Sequence, residues 1–282
     1  MDASENAGRI LSEGEFRRFL CEDFEPSRFD QFDRANAEND KFRPGVGHHH
    51  VCETRCFLVY REVAHQLREH GRLLDIGFYP GILVRVLKSL MGGRVECHGI
   101  GNQVTGEFAG FISPFVASLQ AVDLDPFYSQ STPRIAHPDA SFDVVTATEV
   151  LEHLITPLHL VAEGARVLRP GGLFIVTTPN VSHFYAVVRM LVGLSNYERL
   201  DLSPMYQRSN EGRGHVRFYD KRELRTLFAR HGLTLVQHRY YNEKGDRHSR
   251  KSMLRRAALA LKRPFMLVPH YRNGHFAVFR KN

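Results

Sequence analysis

The stretch that decides the fold is FDVVTATEVLEHLITPLHLVAEGARVLRPGGLFIVTTPN (142–180). FDVVTATE (142–149) is a short run of apolar and β-branched residues, the pattern of a strand covered on both faces. Thr156 stands where a helix wants its N-cap. Pro157 takes the first helical position, where its missing N–H costs nothing. Leu158, Val161, Ala162, Ala165 and Leu168 then recur at helical spacing. Pro170-Gly171-Gly172 ends the helix, and GLFIVTTP (172–179) is a second buried strand. A strand, a helix and a strand in immediate succession signal a mostly parallel sheet.

The same rhythm extends both ways. Upstream, RLLDIG (72–77) is a strand, Gly81 opens a helix with Leu83, Val86, Leu87 and Leu90 on one face, and VECHGIG (95–101) is the next strand. VASLQAVD (116–123) is a third, less apolar one, in a region (102–141) where the alternation blurs. Downstream, Asp220 and Glu223 form a capping pair for a helix reaching Arg230, with Gly232 beyond it. LTLVQHRYY (233–241) and HFAVFRK (275–281) close the pattern as strands. Before the first strand, Tyr60, Val63, Ala64 and Leu67 predict a helix within Val51–His70, stopped by Gly71. Residues 1–50 read as an irregular, partly helical arm carrying Phe16, Phe19, Phe24, Phe29 and Phe32. The organisation predicted is an arm with a lid helix (1–71), then one α/β domain (72–282) carrying an insertion at 242–274.

Composition narrows the class. With 282 residues, 43% hydrophobic and 24% charged, the chain reads as a globular protein with a substantial core. No apolar run approaches the roughly 20 residues that span a bilayer, and MDASENAGRILSEGE does not read as a signal peptide. Cys21, Cys52, Cys56 and Cys97 make no disulfide framework at this length, so a reducing, cytoplasmic setting is expected. The net charge of +7 is local: Lys244 to Arg263 holds eight Lys or Arg and one acid, and the rest of the chain balances.

Two motifs carry chemistry. In LLDIGFYPG, Asp75, Gly77 and Gly81 make a glycine turn between strand and helix, which lets backbone approach a ligand and aims helix N–H groups at it. With the strand-four block, the EVLEHL turn, RVLRPGG, TTPN and HVRFYDKRELRTLFARHGL (215–233) following in order, the chain resembles class I S-adenosylmethionine-dependent methyltransferases over residues 72–241 and the final strand. EVLEH resembles both ubiquinone-pathway O-methyltransferases and the terminal 2′-O-methyltransferases of small RNAs.

The resemblance implies a Rossmann-like, doubly wound sheet of seven strands with an antiparallel last strand. S-adenosylmethionine would lie across the carboxyl ends of strands one and two. On that template Asp75, Gly77 and Gly81 approach the methionine and ribose, Asp123 or Asp125 bonds the adenine, and Thr148 and Glu149 line the reaction chamber. Two positions depart from the family pattern. Tyr79 replaces a glycine, and Gly101 replaces the acid that holds the ribose, leaving Asn102 or Gln103 to supply a neutral hydrogen bond.

Glu149, Glu152 and His153 are spaced to fall on one side of a helical turn, where they could ligate Mg²⁺ or Mn²⁺ or serve as acid and base. By resemblance to the RNA enzymes, His215 completes a four-residue metal set of Glu149, Glu152, His153 and His215. His153, His215 and His183 are the candidate bases for a hydroxyl acceptor, with Glu149 beside them. GHHHVCETRC (47–56) matches no closed zinc site and reads as a lid segment. The basic stretch 244–263 carries an apolar face of Met253, Leu254, Ala257, Ala258 and Leu261. It suits an anionic membrane surface or a phosphorylated acceptor.

The expectation is O-methylation of a small-molecule, glycan or lipid-linked acceptor. The alternatives are a metal-dependent RNA 2′-O-methyltransferase and a non-catalytic binding protein that retains the fold. The absence of aromatics interleaved with basic residues argues against nucleic acid. The absence of GxGxxG argues against a nicotinamide enzyme.

Overall fold

The computed structural model describes residues 10–20, 53–67, 69–79, 81–102, 104, 106–128, 131–196, 215–242, 264–265 and 267–282. Within them seven strands form one sheet in the order β3-β2-β1-β4-β5-β7-β6. They are β1 (Gly71–Ile76), β2 (Val95–Gly101), β3 (Ser118–Ala121), β4 (Phe142–Thr148), β5 (Leu168–Pro179), β6 (Leu233–Tyr241) and β7 (Gly274–Lys281). β1 to β5 pair in parallel, whereas β7 runs antiparallel to both β5 and β6. Chain order reverses between the neighbours β1 and β4, and in open α/β sheets that crevice at the carboxyl ends is where ligands bind.

The helices are α1 (Glu13–Arg18), α2 (Glu53–Gln66), α3 (Ile82–Met91), α4 (Gly106–Ile112), α5 (Pro157–Val167), α6 (Phe184–Leu191) and α7 (Lys221–Ala229). Because strand side chains alternate, the sheet has two apolar faces. Leu73, Val95, Val144, Ile175 and Val278 pack under α2 and α3. Leu74, Ile100, Val145, Val176 and Phe279 pack under α5 and α7. Parts of the N-terminal arm join the first layer: α1 carries a Ser12–Glu15 capping box, and Phe16 stacks on Tyr60 of α2 at 5.2 Å. α7 starts on the predicted Asp220–Glu223 capping box.

Three local expectations are corrected. Gly71 does not end a helix: α2 stops at Gln66, and Gly71 opens β1. Its lack of a side chain matters because a Cβ there would lie 2.8 Å from Asp143 Oδ2. Thr156 precedes α5 but its side chain caps nothing. Leu168 is not on the helix and Pro170-Gly171-Gly172 does not end it: α5 stops at Val167, and Leu168 opens β5. The blurred region 102–141 holds the short α4 and the expected third strand, shortened to four residues. Among the described residues no helix is long and apolar enough to cross a membrane.

One surface is unusually apolar. Tyr185, Val188, Met190, Leu191, Val192 and Leu194, on and after α6, are exposed, as are Phe265, Leu267 and Val268. The two groups meet where Phe184 packs on Phe265 at 4.9 Å. The basic stretch 244–263 lies outside the described residues, as do His48–His50, Cys21, Cys52, Phe24, Phe29, Phe32 and Gln103.

Candidate active site at the carboxyl edge of the sheet

The turn after β1 is left-handed at two points. Gly77 has φ 75° and Gly81 φ 83°, a region that side-chain-bearing residues rarely adopt. Gly77 N–H donates to Ile100 O at 2.8 Å, which ties the turn to β2, and Gly77 itself is exposed. Gly81 sits at the N-cap of α3. Asp75 beneath them is 1% exposed and accepts a 2.7 Å hydrogen bond from Thr146 Oγ1. Burial raises its carboxyl to about 7, with the Thr146 bond opposing. Tyr79 turns its ring onto Phe108 of α4 at 4.9 Å and packs against the core. Gly101 is buried where β2 ends, and Asn102 beside it is exposed.

The two acids after β3 play different parts. Asp125 is fully buried, and its carboxylate accepts the amides of Ile155 (2.7 Å), Thr156 (3.2 Å) and Phe127 (3.2 Å). It caps the entry to α5, the task expected of the Thr156 side chain, and is thereby committed to the scaffold. Asp123 is half-buried, its carboxylate accepting the Asp125 amide at 3.0 Å, and is the better placed of the two for a ligand.

β4 ends at a half-buried Thr148, and Glu149 follows at φ 55°. A non-glycine residue held there signals local backbone strain. Glu149 Oε2 pairs with Arg55 of α2 at 3.2 Å, and Tyr241 Oη donates to Oε1 at 3.2 Å. Next comes the short turn Leu151–His153. Glu152 is 0% exposed and accepts from Thr178 Oγ1 at 3.0 Å, while its Oε1 is buried with no hydrogen-bond partner. Desolvation first, then the charge of Glu149, pushes its carboxyl well above the usual range. The main chain of 215–219 is bound to this turn. Val216 and Arg217 N–H donate to Glu152 O at 2.8 and 3.2 Å, and Tyr219 Oη donates to Leu151 O at 3.1 Å.

That docking brings His215 to His153, ring to ring at 4.8 Å. One ligand atom each from Glu152, His153 and His215 lies within 4.8 Å of the others. Three of the four predicted metal residues therefore converge. Glu149 is not among the three that converge; its carboxylate is engaged by Arg55 and Tyr241. His183 caps α6, accepting from Ala186 N–H at 3.3 Å.

Sequence reasoning missed Arg55, Tyr241, Thr146 and Thr178. Only the threonines left a trace, as hydroxyls inside otherwise apolar strands. The partners of Glu149 come from α2 and β6, so no local pattern announces them.

A doubly wound sheet of this order, with a glycine turn after β1 and an acidic turn after β4, defines a Rossmann-like domain of the methyltransferase type. A family model described as "Methyltransferase domain" matches residues 48–238, and the chain belongs to that family. It is 36% identical over 124 residues to a ubiquinone biosynthesis O-methyltransferase of Nitrosococcus oceani, covering 42% of this chain and 48% of that protein. It is 32% identical over 113 residues to one of Maricaulis maris, covering 39% and 41%. The chain thus matches less than half the length of these curated relatives. Among solved structures it is similar to a Burkholderia thailandensis 1,6-didemethyltoxoflavin-N1-methyltransferase with bound 1,6-didemethyltoxoflavin and S-adenosylhomocysteine. There the TM-score is 0.52 at 14% identity, over 97% of this chain and 92% of that one. A SAM-dependent methyltransferase from Archaeoglobus fulgidus gives 0.51 at 14%, over 80% and 94%. Both are likenesses of fold.

Proposed function

We propose that the chain catalyses S-adenosylmethionine-dependent methylation of a hydroxyl on a small-molecule, glycan or lipid-linked acceptor. The observation that carries this reading is the abutment of the two turns: the exposed glycine turn after β1 meets the Glu149–His153 segment through Val150, which touches Gly77. The residues that would hold the cofactor are Gly77, Gly81, Asn102 and Asp123, with Asp75 buried beneath the turn. The family relationship supports the donor, and the O-methyltransferase relatives support oxygen as the acceptor atom. The exposed apolar face around α6 with Phe265, Leu267 and Val268 supports an acceptor with a lipid portion.

When bound, S-adenosylmethionine supplies an electrophilic methyl group, so the chain has to align the acceptor oxygen and accept its proton. His153 and His215 are the side chains proposed to take that proton when no cation occupies their nitrogens. Glu149 is the anchored carboxylate, held by Arg55 and Tyr241 on the rim of the chamber.

The set Glu152, His153 and His215 fits a divalent cation: two nitrogen donors and one carboxylate oxygen, the latter buried without a hydrogen-bond partner and 4.0 Å from His153 Nε2. Mn²⁺ or Mg²⁺ held there would act as a Lewis acid on the acceptor hydroxyl. The deciding experiment is calorimetric titration with S-adenosylhomocysteine, with and without Mn²⁺ or Mg²⁺. Micromolar binding is the expected result. Absence of binding at millimolar ligand would overturn the reading and leave a non-catalytic member of the fold.

A further inference from the structure

The carboxyl ends of β5 and β6 and the start of β7 meet at one corner, since Pro179 and Tyr241 both pair with Gly274. There the N-terminal part of α2 leaves an open groove of about 340 Å³ against the sheet, walled by Leu58, Tyr240, Tyr241, Arg239 and Arg272. The groove adjoins the reaction chamber, because Tyr241, one of its walls, reaches Glu149 with its hydroxyl at 3.2 Å.

Its charge is one-sided. Arg239 is exposed and Arg272 half-buried, and among the described residues neither guanidinium is paired with a carboxylate. Arg272 is held in place by donating from Nη1 to Tyr240 O at 3.1 Å, which leaves its other N–H groups for a ligand. The carboxylate of Glu149, behind Tyr241, is already matched by Arg55 at 3.2 Å. Two guanidinium forks suit a tetrahedral, multiply charged oxyanion better than a single planar carboxylate, because each fork can take two oxygens. The aliphatic Leu58 and the tyrosine rings offer apolar contact for whatever bears that anion.

We infer that this groove is a phosphoryl subsite, in which Arg239 and Arg272 bind the phosphate of a phosphorylated acceptor and present the rest of it to the Glu149 edge. The inference rests on the methyltransferase reading for the word acceptor, but the anion site itself does not.

The test is calorimetry of the full chain with inorganic pyrophosphate, comparing the wild type with Arg239→Gln and Arg272→Gln. S-adenosylhomocysteine titration of each preparation serves as control. The expected result is saturable pyrophosphate binding, weakened about tenfold by either substitution, as loss of one charge-assisted pair predicts, with S-adenosylhomocysteine affinity unchanged. No wild-type binding, or equal binding by the variants because the ion sits on other basic residues, would overturn it. Competition by phosphatidylcholine vesicles containing phosphatidic acid would assign the phosphate to a lipid headgroup. Competition by a soluble sugar phosphate alone would assign it to a water-soluble acceptor. Both results support the subsite. Pyrophosphate binding without S-adenosylhomocysteine binding would sink the catalytic reading and leave the groove standing.

Discussion

A side-chain carbon on Gly77 would lie 2.3 Å from Cγ2 of Val150, well inside contact distance. The turn after β1 and the turn after β4 are thus fitted to each other at the two strands where the sheet reverses its order. Whatever settles on the first turn is registered against the residues of the second.

Replacing Gly77 by Ala therefore does two kinds of damage. It puts a side chain at φ 75°, and it drives Val150 away, shifting the Leu151–His153 turn. We expect a loss of about 1–3 kcal/mol in stability from strain and overpacking, and a fall of at least about tenfold in S-adenosylhomocysteine affinity (about 1.4 kcal/mol). Urea denaturation and calorimetry of the same variant measure both. Unchanged affinity would separate this turn from the cofactor.

Glu152 → Gln tests the carboxylate at the centre of the proposed cation set. The buried carboxyl is pushed towards its neutral form, and its one hydrogen bond is accepted from Thr178, a role the amide oxygen of Gln can keep. Stability should move by less than about 1 kcal/mol. Mn²⁺ binding should weaken markedly, because an amide is a poor replacement for a carboxylate ligand. Isothermal titration with Mn²⁺ reads the second effect. A Gln variant that binds Mn²⁺ as the wild type does would remove Glu152 from the ligand set.

Acid should loosen the β6–β7 corner. His275 is fully buried, its Nε2 2.9 Å from Tyr219 O and its Nδ1 2.9 Å from His238 Nε2. Since a carbonyl only accepts, His275 donates through Nε2, and its bare Nδ1 accepts from His238. Burial lowers both imidazoles to about 4. Between that value and the ordinary 6.5 the unfolded chain takes up protons that the folded chain refuses. The contribution is therefore complete above pH 6.5 and is lost as the pH falls towards 4. For His275 the full effect is on the order of 3 kcal/mol; the more exposed His238 adds less in the same direction. Urea midpoints for the wild type and His275→Gln across this range should converge as the pH falls. Parallel profiles would show that His275 is not the group responsible.

What the sequence revealed and what it hid divide along a physical line. Strand and helix periodicity is local, so β1, β2, β4, β6, β7 and the Asp220–Glu223 cap were legible, and the glycines of the first turn announced themselves. EVLEH placed Glu152 and His153 together, and the resemblance supplied His215. The engagement of Glu149 was hidden, because it depends on Arg55, 94 residues earlier in the chain. The commitment of Asp125 to the amides of Ile155 and Thr156 was hidden for the same reason: the contact spans 30 residues. The groove at Arg239 and Arg272 exists only once β6 and β7 pair.

The left-handed Glu149 yields the sharpest separation of strain from contact. Glu149→Ala and Glu149→Gly both lose the Arg55 pair and the Tyr241 bond, so those losses cancel between them. Only the backbone cost differs: alanine at φ 55° keeps the strain, and glycine relieves it. After allowance for the greater freedom of glycine in the unfolded chain, the Gly variant should be the more stable by about 1 kcal/mol. Urea denaturation of the pair measures this directly, and an Ala variant as stable as the Gly one would show that position 149 relaxes at no cost. Both should lose methyl transfer if the carboxylate lines the chamber. A Gly variant that is stable yet inactive would mark the strained carboxylate as kept for the reaction rather than for the fold.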